Sequence, residues 1–281
     1  MPLSYFTPDP DDAEVLHPTR VALSLWSEDQ LHGVAVGAVL ARALERAVQE
    51  LGRDDLRAAR LTVDLFKAAR RRPSRTTTRV VRQGNRLCLV DAVLEQDGEP
   101  VARASGLFLR AGEPATGAVW QPEDSPHPPP LDLAPETDRP QVPLFASEGV
   151  GWAPSFTDHQ NAGRKSTWQV AVPVVPGERP SGFVAAGGVA DVTSMLTNWG
   201  ENGIEHINTD ITLTLAREPR GVEIGLHAQD RVTANGIAVG TVTVFDRDGR
   251  LGTAVVTSVA NTRRTVDFGG RADDPRARRG A

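Results

Sequence analysis

Two hydrophobic periods divide the chain. From about Leu31 to Leu51 the stretch "LHGVAVGAVLARALERAVQEL" repeats Ala, Val and Leu at helical spacing, and from Ser181 to Trp199 the chain is small and apolar on every face apart from Asp191. The spacing predicts an amphipathic helix in the first stretch and a buried one in the second. Each is followed by four runs with period-two character. These are "RLTVDLF", "TTTRVVRQG", "RLCLVDAVLEQDG" and "PVARASGLFLR", then "NTDITLTLA", "GVEIGLHAQDRV", "GIAVGTVTVFDRDG" and "RLGTAVVTSVAN". Their alternation and β-branched content predict antiparallel strands. A further strand is expected before each helix, in "VALSLW" and near "STWQVAVPVV". "QDGE" and "DRDG" read as hairpin turns, because Asp-Gly accepts positive φ.

The order of elements is the same in both halves. Gly249 follows Gly98 by 151 residues (249 − 98 = 151), and the same shift carries Gly37 onto Gly188. Between the halves, residues 111–143 are rich in Pro and lack periodicity, as a linker would be. The expected organisation is an N-terminal segment at 1–17, one unit at 18–110, the linker, a second unit at 144–264, and a disordered charged tail at 265–281. A long helix laid on an antiparallel sheet is the pattern of a hotdog fold. The expected class is therefore α+β, a tandem or double hotdog.

Composition excludes several alternatives. Forty per cent hydrophobic and 24% charged residues in 281 positions are those of a globular protein. A net charge of −5 does not favour nucleic acid as a partner, although "KAARRRPSR" (Lys67 to Arg75) is locally basic. The N-terminus lacks a basic start and apolar run, and no stretch approaches the roughly 20 apolar residues that cross a bilayer, so a cytoplasmic protein without a membrane span is expected. The single cysteine, Cys88, lies in an apolar run and reads as a core thiol. There is no G-x-S-x-G elbow, which disfavours a serine hydrolase of the α/β-hydrolase type, and with no His/Cys cluster at metal spacing and no glycine-rich phosphate loop neither metal nor cofactor is expected.

The ordered segments "LHGVAVGAVLARALERAV", "RLTVDLFKAARR" and "EQDGEPVARASGLFLR", then "WAPSF", "GGVADVTSM", "HINTDITLTLAREPRG" and "TVFDRDGRLGTAVVTSV", resemble the bacterial acyl-CoA thioesterase II-like family of double hotdogs, in its actinobacterial branch. The resemblance runs from about residue 18 to 263. It implies hydrolysis of a fatty acyl-CoA, or a related acyl thioester, to free acid and coenzyme A. In that family a helix Asp activates water, helped by a Thr at the start of the next strand and a Gln on the last strand. Asp191 takes the Asp place, Asn208 stands at the Thr place and Thr257 at the Gln place. His32 and Gly33 stand where the family carries a Gly pair.

Helical spacing places Val184, Gly188, Asp191 and Met195 on one stripe, so the carboxylate shares a face with apolar and small groups. Such a carboxylate is hydrogen-bonded or raised in pKa, and both outcomes suit a general base as well as a structural buried acid. Asn208 and Thr257 offer hydrogen bonds to a water, and Gly33 lets a helix-start N–H approach a carbonyl oxygen. The expected acyl tunnel lies between helix and sheet, lined by Val184, Met195 and Leu196, with Gly188 giving room to an acyl chain or to another helix. Arg71 and Arg72 are candidates for the coenzyme A phosphates, or a solvated turn. Two alternatives stand beside the hydrolase: a non-catalytic acyl-CoA or lipid-binding double hotdog, and a hotdog hydratase. "SFTDHQNAG" lacks the Pro and spaced His of the hydratase pattern and reads as a loop. A homo-oligomer is a further expectation.

Overall fold

In a computed structural model, residues 3–123, 125–261 and 265–269 are described. Helix α1 spans Gly33–Glu50. The second stretch forms two helices, α2 (Gly182–Val189) and α3 (Val192–Asn198), instead of one. Its backbone tightens at the joint: Asp191 N–H donates to Gly188 O at 3.2 Å, and Ser194 N–H to Asp191 O at 3.1 Å, both three residues back. This one-turn 3₁₀ step follows two glycines of low helix propensity.

Among the described residues one sheet carries fourteen strands. Its first half runs in the order Phe6–Pro8, Val15–Pro18, Ser74–Gln83, Leu87–Gln96, Glu99–Arg110, Leu56–Leu65. The second half continues with Asp210–Leu215, Gly249–Ala260, Ile237–Asp246, Glu223–Ala234, Lys165–Val170, Leu144–Ser147 and Val150–Ala153, and His206–Asn208 adds to Gly249–Ala260. All eight runs read as strands after the helices are strands. The "VALSLW" stretch is not: it holds the end of a 3₁₀ turn at Arg20–Ala22 and an isolated bridge from Leu23 to Leu31. "QDGE" turns with positive φ at both Asp97 and Gly98, whereas in "DRDG" only Gly249 has positive φ. Two short hairpins, Phe6–Pro8 with Val15–Pro18 and Leu144–Ser147 with Val150–Ala153, fall in stretches with too few alternating residues to show a period. Cys88 is fully buried in the core, as expected.

The halves meet along Leu56–Leu65 and Asp210–Leu215, where Leu61 pairs with Leu213 and Thr62 with Thr212. A shift of 151 residues exchanges these two pairs (61 + 151 = 212; 62 + 151 = 213), so the register at this seam is symmetric under the same shift that relates the two stretches of sequence. The helices cross at their own equivalents. A Cβ on Gly37 would stand 2.5 Å from the Gly187 carbonyl oxygen, one on Gly187 2.8 Å from Ala41 Cβ, and one on Gly188 3.2 Å from the Val34 carbonyl oxygen. Gly188 therefore serves close helix packing and not an acyl chain.

Gly→Ala in an exposed helix interior is stabilising by about 1 kcal/mol. At Gly37 the opposite sign is expected, a loss of about 1–3 kcal/mol from overpacking against backbone. Urea unfolding of Gly37→Ala, with an unchanged m-value, checks it.

Candidate active site

Asp191 is half-buried between the two helices. The α2–α3 joint aims its carboxylate at the start of α1, where Val34 N–H donates to it. A Cβ on Gly33 would collide with the Asp191 carboxylate, so only glycine permits the approach. Carboxylates are favoured at helix N-termini by the unpaired N–H groups and the dipole. His32 caps the same turn. Its Nδ1 accepts from Ala35 N–H at 3.0 Å and its Nε2 bonds the Val21 carbonyl at 2.9 Å, which fixes the neutral tautomer with the proton on Nε2. Burial lowers its pKa in keeping with that state. No partner for the Gly33 N–H is found among the described residues.

Asn208 completes the carboxylate's surroundings: its Nδ2 donates to Asp191 Oδ1 at 2.9 Å. A kink orients it. Between His206–Asn208 and Asp210–Leu215 the ladder is interrupted, Thr209 N–H donates to Thr257 O at 2.9 Å, and Asp210 Oδ1 accepts the Thr257 N–H at 2.8 Å. Burial dominates the acid, pushing Asp191 up to about 6 against the lowering effect of Asn208 and Val34. Nearby, the Tyr5 phenol is raised by burial and then by the Asp191 charge, so it stays protonated.

A cavity of about 630 Å³ opens beside this carboxylate. Its wall includes Gly33, Asp191, Met195 and Asn208, with Gln169, Ser194 and His206 as further polar groups. Val184 and Leu196 are buried elsewhere in the core and take no part in the wall. Thr257 is also outside it. Asn208 pairs across the strands with Ser258, and Ser258 Oγ accepts from Asn198 at 3.2 Å on the helix side. Thr257, one residue earlier, therefore points to the opposite face of the sheet.

The basic run borders the opening. Lys67, Ala68 and Ala69 line the cavity, and Gln96 holds the next stretch by accepting from Arg70 N–H at 2.8 Å and donating to Arg70 O at 2.8 Å. Arg71 and Arg72 are exposed and outside the wall; Arg72 pairs with Asp97 at 2.6 Å. In the "SFTDHQNAG" loop His159 is fully buried, bonded to Ser147 Oγ at 3.0 Å, while Asp158 is exposed. The tail read from residue 265 begins with ordered contacts: Val266 and Phe268 are buried and line the cavity. The two apolar residues of "TVDF" are too few to set a period; residues 270–281 lie outside the described residues. No group of three or more His, Cys, Asp or Glu able to hold a metal occurs among the described residues. No described helix is long and apolar enough to cross a membrane.

Comparison with known proteins gives this geometry a family. Residues 23–109 match the acyl-CoA thioesterase N-terminal domain and residues 120–258 the acyl-CoA thioesterase C-terminal domain. The chain belongs to the acyl-CoA thioesterase family. It is accordingly a thioester hydrolase. No curated protein matches the thioesterase in sequence. Among solved structures it is similar to a hot dog fold protein of unknown function from Alicyclobacillus acidocaldarius (17% identity, 92% of this chain and 96% of that chain, TM-score 0.63). It is also similar to an acyl-CoA thioesterase II from Mycobacterium marinum (13% identity, 91% and 94%, TM-score 0.60). A tesB protein from Mycobacterium avium subspecies paratuberculosis shows 14% identity over 82% and 87%, with a TM-score of 0.61. At such identities the likeness establishes the hotdog fold of the thioesterase.

A carboxyl whose folded pKa stands above its unfolded one adds stability below the unfolded pKa, near 3.8, and loses it as pH rises through about 6. The neutral Asp191→Asn variant should therefore gain on wild type between pH 4 and pH 7, by up to about 3 kcal/mol. Denaturant midpoints of both proteins at the two pH values measure this; a pH-independent difference would contradict the raised pKa.

Proposed function

We propose that the thioesterase hydrolyses a fatty acyl-CoA, or a related acyl thioester, by water attack with Asp191 as general base. The observation that carries the reading is the Asp191 carboxylate set against the start of α1 with Asn208 bonded to it, beside a largely apolar cavity. The chain's two repeats are read as two hotdog units, a tandem supported by the exchanged pairs Leu61–Leu213 and Thr62–Thr212.

Water hydrogen-bonded to Asp191 gives up its proton as its oxygen attacks the thioester carbonyl. In this reading the developing oxyanion accepts from the Gly33 N–H at the head of α1, for which no partner is found among the described residues. Collapse of the tetrahedral intermediate breaks the C–S bond, and the proton on Asp191 passes to the departing thiolate. An acid near 6 is ionised at neutral pH yet basic enough to take the proton, the compromise general catalysis favours. Asn208 positions Asp191, and its amide donor also holds the carboxyl's pKa down. Arg71, exposed beside the opening, is assigned to the coenzyme A phosphates with Arg72.

Coenzyme A release from a panel of acyl-CoA thioesters, read with a thiol reagent, tests the function. Asp191→Asn should lower kcat by roughly 10²–10⁴-fold. For Asn208→Ala the acidic limb of the kcat/KM profile, expected near pH 6 in wild type, should move to higher pH, because a donor to the carboxylate is lost. Saturable acyl-CoA binding without turnover in wild type would instead favour a binding protein.

A further inference from the structure

The cavity has one closed, aromatic end. Phe268 stacks on Phe156 (centroids 4.7 Å apart, planes at 20°) and meets Trp199 edge-on at 5.1 Å, while Phe145 packs on Trp199 at 5.5 Å. Phe145 and Phe268 are 2% and 3% exposed, whereas Leu25 and Phe66, also in the wall, are 52% and 53% exposed and mark the opening. Met195 connects the two regions. It lies one helical turn beyond Asp191 and packs against this aromatic cluster.

Phe268 is brought there by a short strap. Val266 and Ile204 exchange both backbone hydrogen bonds, at 2.9 and 3.1 Å. Gly203, at φ +84°, leaves room for the Val266 carbonyl, which a Cβ there would strike. Gln160 clamps the next residues: its Oε1 accepts from Phe268 N–H at 2.8 Å and Gly269 N–H at 3.2 Å, and its Nε2 donates to Asp267 Oδ1 at 2.8 Å and Glu201 O at 3.1 Å. Such a clamp fixes the phenyl ring as a wall.

With the thioester carbon beside Asp191 and the charged coenzyme A portion left on the solvent side, the acyl group extends toward the buried end. We propose that Phe268 is a specificity-determining residue, whose ring ends the acyl chamber and limits the length of the acyl group it admits. This rests on the hydrolase reading for its substrate class. Removing the ring vacates apolar space in line with the chain, and each further methylene buried there strengthens binding roughly fourfold.

The test compares wild type, Phe268→Ala and the milder Phe268→Leu across straight-chain acyl-CoA thioesters for turnover, and across the matching non-hydrolysable CoA thioethers for binding. The thioether binding optimum should move to longer chains in Phe268→Ala and by less in Phe268→Leu, with kcat/KM following it. An optimum unchanged in both variants, with all lengths weakened alike, would overturn the assignment, as would thioethers that fail to bind wild type at any length. Because the thioethers need no chemistry, they decide the role of Phe268 even where no thioester turns over, the result that would remove the hydrolase reading alone.

Discussion

A carboxylate held against the N-terminus of a buried helix is the constraint around which this molecule is arranged. Burial opposes the charge on Asp191, and two donors, Val34 N–H and the Asn208 amide, offset part of that cost. The approach requires helices in near backbone contact, which Gly37, Gly187 and Gly188 allow at the crossing and Gly33 allows at the carboxylate. It also requires the second helical stretch to turn at the right residue. The tightened joint between α2 and α3 does this.

The shift of 151 residues that relates the two stretches carries over no second acid of this kind. The position 151 residues before Asp191 is Leu40, fully buried in α1. At the matching helix start of the other half, Glu45 bonds the capping Ser181, and burial raises that carboxyl too. It borders a cavity of only about 160 Å³ lined by charged side chains such as Arg53, Arg57 and Glu218. One helix start thus borders a roomy apolar chamber and the other a small polar niche.

Much of this was legible in the sequence where a period was long enough to be read. The eight principal strands and α1 follow from alternation and 3.6-residue spacing, and Asp191 stands out as a carboxylate in an apolar stretch. The break at Asp191 did not show, because a 3₁₀ step leaves the burial of its neighbours unchanged. Thr257 and Ser258 are both hydroxyl residues on one strand, and only the pairing of Asn208 with Ser258 decides which faces the helices. The strap at Val266 and Phe268 offers two apolar residues before a run of charges, too little for a periodic signal although enough to close a cavity. Asn208 reaches Asp191 through a kink set by Asp210, a long-range bond no local pattern encodes.

The proposed chemistry turns on whether Asp191 activates water or attacks the thioester itself. A single turnover in heavy-oxygen water, with enzyme in excess over acyl-CoA, followed by mass spectrometry of the product and of the peptide carrying Asp191, tests for side-chain attack with hydrolysis at the Asp191 carbonyl. Base catalysis predicts label in the free acid from the first turnover and none in Asp191. Unlabelled acid, with the heavy oxygen found in the Asp191 carboxyl, would show that the side chain had formed an anhydride and would contradict the account.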